Sequence, residues 1–378
     1  MNPFKFGQIV TGPDFADREA EIKEAVSALE SGQSILIHSP RRYGKTSLIK
    51  EVIRQLRTKG YQTVYMDLYK ITSKKNFVEV YSAAIVSAAE SKLQEAFRLL
   101  QQYLPRPRIT IPEGPLPFEV EISASLPKRD EAQLFNDVLE MPQKLAKKKA
   151  KRIIVVFDEF QEIRRLDGEE IERTMRSIFQ HHGQVSYAFL GSRRTILGEM
   201  FGGRNRPFYK FCKSLPLGPI PSKEFAKFIK QHFENEGFRT PSTIIEEILG
   251  KTESHPYYTQ QLCYELWNVV YPSRSAMTEK EWVKGLEEAV KRVISSNSYA
   301  YEETYDHLGD DQRRLITALA TEPSKSIYGK DYIQRHGLGR SQNVSKACKN
   351  LEDRDLIEKS EGVYRVSDVF LREWLKKR

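Results

Sequence analysis

Ser34-Ile-Leu-Ile-His-Ser-Pro-Arg-Arg-Tyr-Gly-Lys-Thr46 begins as a short apolar run, turns through Pro, Arg and Gly, and continues to Leu56 with apolar residues at helical spacing. That is the pattern of a strand, a loop and a helix. Within it, Ser39 to Thr46 matches G-x-x-x-x-G-K-[ST] except at the first position, where Ser39 stands in place of glycine. The chemistry is that of a phosphate cradle. Backbone N–H groups of the loop Ser39 to Gly44, that is Ser39, Arg41, Arg42, Tyr43 and Gly44 around Pro40, which has none, surround an anion together with the positive end of the following helix. Gly44 lets the backbone approach closely, Lys45 reaches the outer phosphates, Thr46 offers a hydroxyl to magnesium, and Ser47 follows in the first turn.

Working outward, a second element supports the first. Ile153 to Phe157 is an apolar run that places Asp158 at the carboxyl end of a buried strand, where ligand sites of α/β sheets gather. Asp158 is suited to hold magnesium, and Glu159 is the candidate base that orients a water for in-line attack. Further strands are expected at Thr63 to Tyr69, Ser186 to Gly191 and Ser214 to Leu217, with helical segments separating the first four. Alternation of this kind implies a mostly parallel sheet covered on both faces.

The proline-rich stretch 103–128 interrupts the alternation, and its ITI and FEVEI pieces predict a hairpin or extended excursion. Beyond Pro221 the strands stop. Lys223 to Glu236, Ser242 to Lys251, Pro256 to Val270 and Glu279 to Ser295 read as amphipathic helices, a helical lid. From about Asp306 the outline becomes helix, helix, helix, hairpin, the last two strands turning at Glu361-Gly362, which is the outline of a winged helix. The expected domains are therefore 1–221, an α/β P-loop NTPase core with its excursion at 103–128, then 222–304, the lid, and 305–378, the winged helix. The charge run Lys144 to Arg152 reads as the solvated end of a helix, with cations near the negative pole of its dipole.

With 378 residues, two or three domains are expected, and a disordered tail or miniprotein is excluded. No apolar run approaches the roughly 20 residues that cross a bilayer, so no membrane span is expected. The formal net charge of +9 permits contact with nucleic acid without demanding it. Cys212, Cys263 and Cys348 are far apart and lack CxxC spacing, which suggests neither a disulfide framework nor a zinc site. The amino terminus lacks an export signal, and a cytoplasmic protein is expected.

Six segments carry a family resemblance. They are Pro13 to Ile22, His38 to Leu48, Val155 to Ile163, Phe189 to Arg194, Ser254 to Trp267 and Gly337 to Lys359. In this order they resemble prokaryotic AAA+-like ATPases of the STAND type, archaeal and bacterial, with a carboxyl-terminal winged helix. The resemblance implies ATP and Mg2+ as cofactors, with adenine preferred over guanine. It implies that Phe15 and Arg18, in the segment Phe15 to Glu19, lie near the adenine, and that Arg193 senses the γ-phosphate. From the residues alone, Arg193 and Arg194 read equally well as solvated loop-end cations. The Ser254-His255-Pro256 element resembles the part of the lid that approaches the nucleotide, although a histidine before a helix is more often a cap and Pro256 suits a first helical turn. Arg204 and Arg206 occupy a loop where oligomeric relatives present an arginine finger to a neighbour, so an oligomer is one of the arrangements implied.

Three functions follow as expectations. The first is an Mg-ATP-hydrolysing molecular switch, with ATP held between core and lid and its state read by an unidentified protein partner. The second is a DNA-binding ATPase of initiator or mobile-element type, its winged helix on duplex DNA through Arg340, Asn343, Lys346 and Lys349. Against it, Glu352, Asp353 and Asp355 crowd the end of that helix. The third is a scaffold that holds ATP without turning it over, and Glu159 argues against it.

Overall fold

The computed structural model describes residues 1–16, 18–89, 93–105, 107–110, 119–122, 128–192, 194–273 and 277–378. The chain gathers into two compact units, Arg18–Gly218 and, by itself, Met1–Asp17 with Pro219–Arg378.

In the unit Arg18–Gly218, α1 (Glu19–Glu30), β1 (Ile35–His38), α2 (Lys45–Thr58), β2 (Gln62–Asp67), α3 (Lys74–Ala89) and α4 (Leu93–Tyr103) come first. A hairpin follows, β3 (Pro107–Thr110) and β4 (Glu119–Ile122), which pair antiparallel as the proline-rich stretch suggests. Then come α5 (Lys128–Lys149), β5 (Ile153–Asp158), α6 (Arg164–Phe179), β6 (Val185–Gly191), α7 (Arg194–Phe201) and β7 (Lys213–Pro216). Lys147, Lys148 and Lys149 of the charge run lie in the last turn of α5.

The main sheet is parallel throughout, in the order β2-β5-β6-β1-β7. Every residue of β5 and β6 is buried, as an apolar run covered on both faces requires. Phe157 of β5 stacks with Tyr81, Phe179, Tyr187 and Phe189 at ring-centroid distances of 5.7 to 6.3 Å. Although α2 leads from β1 to the far edge strand β2, β1 itself is flanked by β6 and β7. The order therefore reverses beside β1, the place in an open α/β sheet where ligand sites gather at the carboxyl ends of the strands.

The other unit continues with α8 (Ser222–Asn235), α9 (Ser242–Thr252), α10 (Pro256–Val270) and α11 (Glu279–Asp306). It ends with α12 (Asp310–Thr321), α13 (Lys330–Arg335), α14 (Ser341–Asp353), β8 (Ile357–Ser360), β9 (Val363–Val366) and α15 (Val369–Leu375). Glu361 and Gly362 both have positive φ, 51° and 85°, as a two-residue hairpin turn of the primed type demands. Ser324 adds a third short edge by pairing antiparallel with Tyr364.

Two elements of this unit differ from the sequence-based expectation. The helix expected over Glu279 to Ser295 runs on to Asp306, so position 304/305 falls in its last turn. Ser296, Asn297 and Ser298 look like loop formers, but their side chains donate back to the carbonyls of Val293 and Ile294, one turn earlier. Tyr301 is buried and reaches Asp368, which caps α15. Helix α15 lies beyond the expected hairpin, and it buries Val369, Phe370, Leu371 and Leu375 in the same core as the lid helices.

Candidate functional site

The loop after β1 is preorganised. Arg42 has φ 65° and Gly44 has φ 83°, the left-handed region that glycine enters freely. Ser39 is fully buried and is absent from that region, so no glycine is required at its position. Its hydroxyl donates to the Pro40 carbonyl at 3.0 Å and lies 3.3 Å from the Lys45 ammonium. Lys45 is 6% exposed and also donates to the carbonyls of Ser39 at 3.3 Å and Pro40 at 3.0 Å. Helix α2 has no side-chain cap at Gly44, and the positive pole at the start of a helix attracts an anion.

Arg18 is buried and hydrogen-bonds outward from α1. Its guanidinium donates to the Tyr43 carbonyl at 3.2 Å, to the Gly218 carbonyl at 2.8 Å and to Glu21 at 2.9 Å. Burial lowers its pKa, and the Glu21 carboxylate opposes that shift. Arg18 thus fixes the loop through Tyr43. Arg41 and Arg42 are exposed, while Tyr43 and Ser47 are buried.

Asp158 and Glu159 lie at the end of β5. The Thr46 hydroxyl donates to Asp158 Oδ2 at 2.9 Å, and the Tyr65 hydroxyl from β2 donates to the same oxygen at 2.7 Å. The Glu159 N–H donates to Asp158 Oδ1 at 3.0 Å. Glu159 has φ 51°, a left-handed conformation that is costly for a residue with a side chain. Its Oε2 accepts from Ser192 Oγ at 3.1 Å and from the Gln161 amide. Ser192 follows β6, the strand between β1 and β5. A Cβ at Gly191 would meet the Gln161 amide oxygen and the end of the Leu197 side chain, which would have to shift. Register pairs Asp67 with Asp158, and burial raises the Asp67 pKa, with Asp158 adding to the rise. Burial likewise pushes the Tyr65 phenol far up, keeping it a hydrogen-bond donor.

The structure thus brings together Ser39, Pro40, Gly44, Lys45, Thr46, Asp158 and Glu159. Tyr65, Gln161, Ser192 and Asp67 join them, four residues that sequence reasoning does not single out. The donor set suits magnesium, because a hydroxyl and a carboxylate are hard oxygen ligands and nucleotide phosphates complete such sites. Among the described residues no cluster of three or more His, Cys, Asp or Glu residues is placed to hold a metal alone. Arg193 lies outside the described residues. Arg206 is ion-paired with Glu169 of α6, and Arg204 is exposed.

Phe15, His255 and Pro256 belong to the other unit. His255 Nδ1 accepts from the Tyr257 N–H at 3.2 Å, which makes it the N-cap of α10, and Pro256 is the first residue of that helix. Before them, Glu253 and Ser254 have φ 53° and 52°. The Glu253 carboxylate accepts from Arg365 of β9 at 2.8 Å and Arg372 of α15 at 2.6 Å. Within this unit the lid loop is thereby ion-paired to the wing.

Residues 15–262 match the family described as an ATPase domain predominantly from Archaea. The chain belongs to this ATPase family. Residues 299–377 of the ATPase match a probable winged helix domain. Among solved structures, it is similar to the Walker-type ATPase paby2304 of Pyrococcus abyssi, with TM-score 0.66 at 16% identity, covering 99% of each chain. It is also similar to the ORC2 protein of Aeropyrum pernix in ADPNP-ADP complexes, with TM-score 0.58 at 12% identity, covering 99% of this chain and 96% of that one. At such identities the likeness speaks for the fold of this ATPase. No curated protein matches its sequence.

Proposed function

We propose that this ATPase is a molecular switch of the STAND, AAA+-like type that binds and slowly hydrolyses Mg-ATP. The observation that carries the reading is the convergence of the phosphate loop, β2, β5 and β6 on one pair of carboxylates. Thr46 and Tyr65 fix Asp158, while Ser192 and Gln161 fix Glu159. Magnesium, when bound, would supply a Lewis acid that neutralises phosphate charge, and Thr46 and Asp158 would hold it.

The N–H groups of α2 and Lys45 bind the phosphates, with Lys45 exchanging the loop carbonyls for phosphate oxygens. Glu159 orients the attacking water through Oε1, because Oε2 is already taken by two donors. Arg193 is the proposed γ-phosphate sensor. Arg18 serves the nucleotide site through Tyr43. A protein partner reads the nucleotide state in a cytoplasmic setting, and a switch of this kind needs two conformations biased differently by ATP and ADP.

A second reading rests on α14. Val344, Ala347, Cys348 and Leu351 are buried on one face, whereas Arg340, Asn343, Lys346 and Lys349 are exposed. Among the described residues none of these three cations has a carboxylate partner. That face suits duplex DNA. Steady-state ATPase activity with and without duplex DNA at two salt concentrations separates the readings. Stimulation that fades with salt supports the DNA-binding ATPase, turnover indifferent to DNA supports the switch, and absence of any turnover dependent on Glu159 contradicts both.

A further inference from the structure

Three cations of α2 gather beside Tyr65 of β2. Lys50, Arg54 and Arg57 recur at helical spacing and, with Ile53, Thr58 and Tyr65, line a concavity of about 430 Å3. The positions i, i+4 and i+7 stack on one side of a helix. Each cation is held in place before any ligand arrives. The Lys50 ammonium lies 3.3 Å from the centroid of the Tyr65 ring. Arg54 is clamped by both carboxylate oxygens of Glu51, and Arg57 Nε donates to Thr63 Oγ1 at 2.7 Å.

The charge there is not balanced. Glu51 offsets Arg54, but among the described residues Lys50 and Arg57 have no carboxylate within ion-pair distance. Burial lowers the Lys50 pKa, and the nearby Arg57 and Lys70 lower it further, against the pull of Asp158 and Asp67. A half-buried ammonium over an aromatic ring, beside an arginine whose terminal nitrogens are free, has donors to spare in a shaped recess.

We infer that the concavity lined by Lys50, Arg54, Arg57 and Tyr65 binds a phosphate group, distinct from the phosphates held by the Ser39–Ser47 loop. Guanidinium forks match phosphate oxygens in geometry, and the ammonium adds a point charge. The group comes either from a free diphosphate or from a nucleic-acid backbone. The same Tyr65 that floors the concavity donates to Asp158, so occupancy is felt at the carboxylate of the nucleotide site.

The test is calorimetry of inorganic pyrophosphate on the full chain with the phosphate loop disabled by Lys45→Ala. A parallel titration uses the wild-type chain saturated with ADP, in case that variant fails to fold. Pyrophosphate binding is expected in both, and adding Lys50→Gln with Arg57→Gln is expected to weaken it about tenfold or more, the loss of charge-assisted hydrogen bonds. Displacement of pyrophosphate by a thymidine oligonucleotide assigns a backbone phosphate, and no displacement assigns the free anion. Absence of binding in both backgrounds, or binding indifferent to the double substitution, overturns the inference. Neither outcome depends on ATP hydrolysis, so failure here is distinguishable from failure of the proposed switch.

Discussion

The phosphate loop and helix α14 both offer cations, and they hold them in opposite ways. Lys45 is buried and bonded to three oxygens of its own loop, while Arg340, Lys346 and Lys349 project into solvent with no carboxylate partner among the described residues. A buried, preorganised cation loses little entropy when it takes a ligand and selects for geometry. Exposed cations bind through net field, which salt screens and many polyanions satisfy. The first region therefore specifies its ligand, and the second specifies only a sign of charge.

Lys45→Ala removes the buried cation. Nucleotide affinity is expected to fall by about a hundredfold or more, the cost of removing a charged partner from a buried site, as read by binding of a fluorescent ATP analogue. An unchanged affinity would put Lys45 on the same footing as the exposed cations. Next, Ser192→Ala with Gln161→Ala frees Glu159 from both donors. Turnover should drop about tenfold at constant ATP affinity, because a misaligned water-orienting group costs rate and not binding. Loss of affinity instead would assign Ser192 and Gln161 to nucleotide binding.

Tyr65→Phe removes one donor from Asp158 while keeping the ring under Lys50. The magnesium concentration for half-maximal activity should rise several-fold, about the value of one hydrogen bond to a charged group. On the α14 side, Lys346→Gln with Lys349→Gln should make the slope of log affinity against log salt shallower, by about 0.9 for each DNA phosphate no longer neutralised. An unaltered slope would remove α14 from DNA recognition. The smallest effect expected is at Glu253, which is one-third exposed between Arg365 and Arg372. Glu253→Gln should lower stability by about 1 kcal/mol after solvent screening, measured as the denaturation midpoint. No change there would mean that the two arginines find water equally good.

What is legible in the sequence divides along the same line. Ser39 to Thr46 and Ile153 to Glu159 are contiguous, and each carries its strand, turn and chemistry in a few residues. Tyr65 and Ser192 reach the carboxylates only when β2, β5 and β6 pair, and pairing register is not written in any one segment, whereas Gln161 reaches Glu159 from two residues along the same segment. A signal for β2 is present. Thr63, Tyr65 and Asp67 alternate with Val64 and Met66, which puts an acid and a phenol on one face at the carboxyl end of a strand. The segment Phe189 to Arg194 draws attention to Arg193, whereas the neighbour seen to touch Glu159 is Ser192. The length of α11 is hidden because Ser296, Asn297 and Ser298 carry loop-forming side chains whose backbone-directed hydrogen bonds are satisfied within a helix.

In the proposed mechanism Glu159 acts on water and not on nucleotide. The direct measurement is ATP binding and ATP hydrolysis by Glu159→Gln beside the wild-type chain, in the same buffer and at saturating magnesium. Wild-type affinity with hydrolysis reduced by about a hundredfold or more is the predicted result. Hydrolysis at the wild-type rate would contradict it.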